Sequence, residues 1–320
     1  MGADDGPNSG CYEMKWSKLG KVYNCENWAQ CPTPLVMEDR IRVYFSSRDE
    51  RGKSYIRFVD LALDDPSKII DICFENTAVL ENGKPGTFDD EGQIPSFARR
   101  VDGKIELWYS GWNSRNTIPY HNATGVAVSD NGGRTFKRIH DGPVMDRTPQ
   151  EPYLAVTPSF DGQNIYYISG LEWRLINERY EPIYAIRRAW LDYGDKCAVS
   201  RRGTELVIPQ SKPLECFSRP WVLKVKDNCG KDFWHLWYSY RVAVDYRDGK
   251  NAYRIGYADS WDGEEFFRRD SDAGIDRGAL GEWDHTMTAY PAVVKVKGRL
   301  LMFFNGNSFG RYGFGVAVAE

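Results

Sequence analysis

Apolar residues in this chain come in short alternating or continuous runs, cut by Gly, Pro, Asn and Asp. That is the pattern of strands joined by tight turns, and no amphipathic segment of helical length interrupts it. One arrangement recurs. A proline leads an apolar stretch, a polar turn, and then an aromatic-rich run ending in small residues. Pro32 leads to Arg42-Val-Tyr-Phe-Ser-Ser47, and Pro95 to Glu106-Leu-Trp-Tyr-Ser-Gly111. Pro158 leads to Ile165-Tyr-Tyr-Ile-Ser-Gly170, Pro220 to Phe233-Trp-His-Leu-Trp-Tyr-Ser239, and Pro291 to Leu301-Met-Phe-Phe-Asn-Gly306. The intervals between these prolines are 63, 63, 62 and 71 residues. Such self-similarity marks an array of one supersecondary unit.

Each copy reads as two hairpins. Asp102-Gly103 and Asp161-Gly162 are strong two-residue hairpin turns, and Lys297-Gly298 is a weaker one. A second hairpin carries Ser129-Asp-Asn-Gly-Gly-Arg-Thr-Phe136, which matches Ser260-Trp-Asp-Gly-Glu-Glu-Phe266. Both resemble the Asp-box turn, whose Asp or Asn side chain ties its own backbone, so their carboxylates are expected to be structural. Four strands per copy and five copies predict an all-β, five-bladed β-propeller spanning 1–320 as one domain, with units starting near 29, 92, 155, 217 and 288. The last copy ends after its third strand. A strand over residues 12–23 is expected to complete it and latch the ring, removing an exposed sheet edge.

Composition narrows the function. Net charge is −3 with no basic block, which argues against nucleic-acid binding. Aromatics make up 14% of the chain, which suits stacked sheets and also clefts where a flat ring packs on a sugar. The N-terminus lacks a basic start and an apolar run, no stretch of about 18 apolar residues occurs, and the seven cysteines are scattered. These features lead us to expect a cytoplasmic protein with free thiols and no membrane span; they leave its oligomeric state open.

The loops entering each first strand are expected to point into one funnel, and they are rich in acids. Asp89 and Asp90 precede Pro95, Glu151 precedes Pro158, and Glu215 precedes Pro220. Clustered carboxylates hold unequal pKa values, giving an acid and a base for attack at an anomeric carbon. Asp90 and Glu151 are the foremost candidates, with Asp89 and Glu215 beside them. For binding substrate we single out Arg48, Arg115, His121, Arg147, Arg219 and Arg311, which suit a phosphate or carboxylate, together with Gln93, Tyr290 and Asn305. No GxSxG, Walker or zinc-ligand motif occurs. No cofactor or metal is expected, although a divalent ion at the funnel centre is compatible with the fold.

With these residues on the page, the chain resembles the five-bladed sugar enzymes of glycoside hydrolase families thirty-two, forty-three, sixty-two and sixty-eight, and the mannoside phosphorylases of family one hundred and thirty. It is most similar to bacterial family forty-three-like proteins of surface-polysaccharide gene clusters, through Gly86-Thr-Phe-Asp-Asp, Pro119-Tyr-His-Asn-Ala, Glu151-Pro-Tyr and Phe303-Phe-Asn-Gly-Asn-Ser-Phe-Gly. The resemblance implies a catalytic Asp at Asp90 or Asp89 and an acid Glu at Glu151 or Glu215. It also implies a first-unit base, yet Asn27-Trp-Ala-Gln-Cys-Pro32 carries no acid. The expected function is chemistry at the anomeric centre of a furanose or pentose. Transfer from an activated, phosphoribosyl-type donor is the leading expectation, glycoside hydrolysis the alternative, and a non-catalytic glycan-binding propeller a second alternative.

Overall fold

A computed structural model describes residues 14–24, 27–73, 77–162, 164–192 and 200–320. Strand β1 (Trp16–Tyr23) stands apart from its neighbours in sequence. Then follow β2 (Gln30–Val36), β3 (Arg40–Arg48), β4 (Ser54–Ala62) and β5 (Ile69–Ile72), and after them β6 (Gly92–Val101), β7 (Lys104–Ser114), β8 (Tyr120–Ser129) and β9 (Lys137–Arg138). The third group is β10 (Ala155–Phe160), β11 (Asn164–Ile176), β12 (Arg179–Asp192) and β13 (Ser200–Leu206). The fourth is β14 (Glu215–Lys226), β15 (Asp232–Val242), β16 (Arg254–Ser260) and β17 (Phe267–Arg268). The last is β18 (Ala289–Val296), β19 (Arg299–Asn305) and β20 (Phe314–Ala319). The fold is all-β, with two single helical turns at Asp270–Ala273 and Asn307–Gly310.

Within each group, pairing is antiparallel and follows chain order. The first two groups join into one eight-stranded sheet through a single parallel bridge, Ser54 to Gly92. The N-terminal β1 pairs antiparallel with β20 and supplies the fourth strand of the last sheet. Residues 12 and 13 of the expected latch, like Glu26, Cys11, Cys25 and Cys197, lie outside the described residues. The first strands touch one another in a closed cycle, from β2 through β6, β10, β14 and β18 back to β2.

Side chains repeat with the strands. Each second strand carries an aromatic pair followed by Ser or Asn. In all but the third group, where Ser169 Oγ has no partner among the described residues, that polar group reaches the next group's first strand. Ser46 Oγ donates to the Gln93 carbonyl at 2.7 Å, Thr157 N to Ser110 Oγ at 3.2 Å, and Tyr290 N to Ser239 Oγ at 2.7 Å. Cys31 N donates to Asn305 Oδ1 at 2.8 Å, joining the last group to the first. Buried groups of this kind hold because every bond left unmade costs desolvation.

The Asp-box turns are structural, as expected. Asn131 Oδ1 accepts from Ser129 Oγ and Thr135 N, and Asp262 Oδ1 from Ser260 Oγ and Glu264 N. Each turn seats an aromatic against the preceding group, Phe136 on Tyr44 and Phe266 on Tyr166. The tyrosines in turn donate to the Gly133 and Gly263 carbonyls. Among the described residues Cys31, Cys73, Cys216 and Cys229 are free, and no helix is long and apolar enough to cross a membrane.

Candidate functional site

The acids preceding the prolines do not share one cavity. Asp89, Glu215, Asp284 and Glu151 tie their entry loops to their own sheets, and Asp90 bonds within its own turn. Asp89 is fully buried; its Oδ2 accepts from Tyr109 Oη at 3.0 Å and from Arg138 Nη2, on the outermost β9, at 2.6 Å. Glu215 accepts from Arg268 on the outermost β17, at 2.8 and 3.0 Å, and from Ser211 N. Burial pushes the Glu215 carboxyl up, but Arg268 and Ser211 outweigh it and hold it below the ordinary range. Asp284 pairs at 2.5 Å with Lys18 on the outermost β1. Glu151 accepts from Tyr167 Oη at 2.9 Å and lies 3.9 Å from Arg187. Asp90 accepts from Gly86 N within its own turn, and its Oδ1 has no hydrogen-bond partner among the described residues.

Residues one or two before each proline face the centre instead. Cys31, Ile94, Thr157, Ser218 and Tyr290 contribute to a cavity of about 330 Å³, within the usual range for small-molecule sites. Cys31, Thr157, Arg219 and Tyr290 adopt φ between 50° and 58°. The strand pairing slips beside each of them, so that extra residues bulge inward. Left-handed backbone at non-glycine residues is strained, and such strain concentrates at ligand sites.

The cavity wall combines aromatic and cationic groups. Trp112, Tyr120, Tyr184 and Tyr290 line it, with Arg48 and Arg179. An adjoining space shares Arg48, Tyr120, Tyr184 and Tyr290 and adds Trp28, Arg241 and Arg247. Among the described residues no Asp or Glu lines either space. The neighbouring carboxylate is Glu181, which accepts from Tyr246 Oη at 2.6 Å and pairs with Arg247 at 2.8 Å. Burial pushes Glu181 up, but these partners outweigh it and keep it ionised. Arg219 lies beneath, donating to the Pro95 and Pro32 carbonyls at 2.9 and 3.0 Å.

The other candidates divide between two places. Arg115, His121 and Arg147 line a second pocket with Trp173, where His121 Nε2 lies 2.8 Å from Asp146. Arg311 is exposed, with its guanidinium 5.2 Å from the Trp28 ring. Gln93 and Asn305 are fully buried and serve the frame. Gln93 donates to the Glu81 carbonyl, and Asn305 to the Ala29 and Gly313 carbonyls. The sequence reading passed over Arg241, Glu181 and Tyr184. A signal for Arg241 existed: Arg48, Trp112 and Arg241 each stand two residues past the Ser of their copy. Among the described residues, no cluster of three or more His, Cys, Asp or Glu could hold a metal.

No protein-family model matches this chain. It is 32% identical over 324 residues to the uncharacterized protein Rv1502 of Mycobacterium tuberculosis H37Rv, covering 96% of this chain and 100% of that one. The uncharacterized protein MT1551 of strain CDC 1551 matches equally. Among solved structures, a glycoside hydrolase superposes with a TM-score of 0.72 at 13% identity, over 96% of this chain and 92% of that one. A thermostable family-43 glycoside hydrolase gives 0.62 at 15%, over 92% and 88%. The endo-arabinase of Bacteroides thetaiotaomicron gives 0.58 at 16%, over 94% and 96%. The chain therefore shares its all-β propeller fold with these glycoside hydrolases.

Proposed function

This chain belongs to the family of the mycobacterial protein Rv1502, and from that premise we propose that it is a single-domain, five-bladed propeller enzyme that cleaves a glycosidic bond of a saccharide held in the central cavity. The reading of five blades rests on the five four-stranded groups and the closed cycle of their first strands. The observation that carries the function is the cavity, ringed by strained residues of successive first strands and walled by Trp and Tyr. Flat aromatic faces beside polar donors suit a sugar, whose apolar face and hydroxyls need both. Cleavage is supported better than transfer, because the similar structures include hydrolases by name. The endo-arabinase among them keeps a pentose as the sugar of first choice.

For the reaction we assign Glu181, held ionised beside the cavity, as base or nucleophile. Asp90 and Glu151 stand as its partners. Asp90 has an oxygen without a hydrogen-bond partner among the described residues, and the residues after Glu151, Pro152 to Leu154, line the second pocket and the central cavity. The test is turnover of nitrophenyl arabinofuranosides, xylosides and glucuronides. Glu181→Gln is expected to lower kcat by roughly a hundredfold or more, with the folded fraction unchanged by circular dichroism. Full activity in Glu181→Gln, Asp90→Asn and Glu151→Gln alike would sink the assignment.

A second reading, binding without catalysis, is favoured by a cavity lining that holds no Asp or Glu among the described residues. It predicts saturable glycan binding with no turnover of any of these glycosides.

A further inference from the structure

We propose that the saccharide this cavity takes is anionic, and that its carboxylate or phosphate is received by Arg48 and Arg241 above a floor made by Arg219. The proposal rests on the reading that a saccharide occupies the cavity, and it adds the class of that saccharide.

Arg241 is 2% exposed. Its Nε donates to Tyr253 Oη at 3.1 Å, and its Nη2 to the Pro182 carbonyl at 3.1 Å and Tyr184 Oη at 3.3 Å. Its guanidinium stacks 3.7 Å from the Tyr246 ring centroid. Every one of these partners is neutral, and Nη1 has no hydrogen-bond partner among the described residues. Arg219, 1% exposed, bonds to two carbonyls and to Thr33 Oγ1, and its Nε is likewise unpartnered. Arg48 stacks on Trp28 at 5.1 Å and leaves its Nε unbonded. Burial pushes the Arg48 and Arg219 guanidinium pKa values down, whereas at Arg241 burial is outweighed by the surrounding tyrosines and Cys216, which raise it.

Removing a guanidinium from water costs several kcal/mol unless an anion or a full set of bonds offsets it. The carboxylate at hand, Glu181, is already shared by Arg247, Tyr246 and Arg179. Elsewhere the chain meets this need directly. Buried Arg42 has Asp60 at 2.7 Å, and part-buried Arg268 has Glu215 at 2.8 Å. Arg254 too bonds only to carbonyls, but it lines neither space. Of the three central guanidiniums, Arg48 lines both the central cavity and the adjoining space, and Arg241 lines the adjoining one. Free N–H groups there are short of an oxyanion, which a charge-assisted bond fits best. The surrounding rings supply the sugar-facing wall, so the anion is carried on a sugar.

The experiment is calorimetric titration of the full chain with glucuronic acid, ribose 5-phosphate and neutral arabinose, at low and high salt. The two anionic sugars separate carboxylate from phosphate. At least one is expected to bind about tenfold more tightly than arabinose and to weaken with salt. Arg48→Gln and Arg241→Met are each expected to lose roughly tenfold or more for that sugar, and to lose less for arabinose. Should Arg241→Met fail to fold, the half-buried Arg48→Gln decides alone. Anionic sugars binding no better than arabinose, or unchanged in Arg48→Gln, overturn the proposal. Turnover of an uncharged nitrophenyl glycoside under those outcomes leaves the proposed function standing; binding of an anionic sugar, lost in Arg48→Gln, with no glycoside ever cleaved upholds the anionic class and overturns cleavage alone.

Discussion

At the level of single residues, the same side-chain type does two jobs, and its partner decides which. Asp89 and Glu215 bond to Arg138 and Arg268, which lie 49 and 53 residues away. Asp89→Asn leaves the Arg138 charge half-buried without its partner, and is expected to cost about 3–5 kcal/mol of unfolding free energy in a denaturant titration. Glu215 supplies a pH prediction. Its folded pKa lies below the ordinary 4.5, so its stabilisation is complete above that value and fades as pH falls through the lowered one. Glu215→Gln is expected to flatten that acid limb in unfolding free energies measured from pH 6 to pH 3. The acids were plain in the sequence, and their partners were not. A carboxylate before a proline reads alike whether it faces the axis or the outer strand, because that orientation is set by sheet geometry.

At the level of strands and turns, the sequence was most informative. The Asp102-Gly103 turn has both residues at positive φ, 48° and 75°, as a two-residue hairpin turn requires, and Lys297-Gly298 does the same at 48° and 84°. The Asp-box turns also read correctly, since Ser, Asn or Asp and Gly act through bonds within a few residues. Phe136 is the pin of one such turn, buried against Tyr44 in a cluster spanning two groups. Phe136→Ala is expected to destabilise by about 3–5 kcal/mol, seen as a lower midpoint in thermal or denaturant unfolding. At Gly133, φ is +79° and a Cβ would stand 2.1 Å from Tyr44 Oη, so Gly133→Ala is expected to loosen the same contact. The inward bulges at Cys31, Thr157, Arg219 and Tyr290 escaped the reading. Proline disfavours helical backbone in the residue before it, yet these residues take the left-handed conformation because ring packing turns them toward the axis. That slip is also why the cavity is lined from just before each proline, while Asp89 and Glu215 further upstream bond to the outermost strands.

At the level of the whole molecule, the short last group and the N-terminal strand that completes it were legible, because they follow from counting strands. The chemistry of the centre was legible only in part, because it is assembled from positions that no single copy displays. Arg48 comes beside Trp112 in the central cavity and beside Arg241 in the adjoining space only once the copies are set around an axis. Asn305 is the closing link, bonded to Cys31, Ala29 and Gly313. Asn305→Ala is expected to cost on the order of 3 kcal/mol by leaving those groups unpaired, read as a loss of cooperativity or midpoint in unfolding. The central claim is that this axis holds the saccharide. The most direct measurement is a crystal structure of the full chain soaked with a glucuronate-bearing oligosaccharide. The account predicts a sugar ring against Trp112 and Tyr184 with its carboxylate between Arg48 and Arg241. A ligand seated elsewhere, with the central cavity holding only solvent, would contradict it.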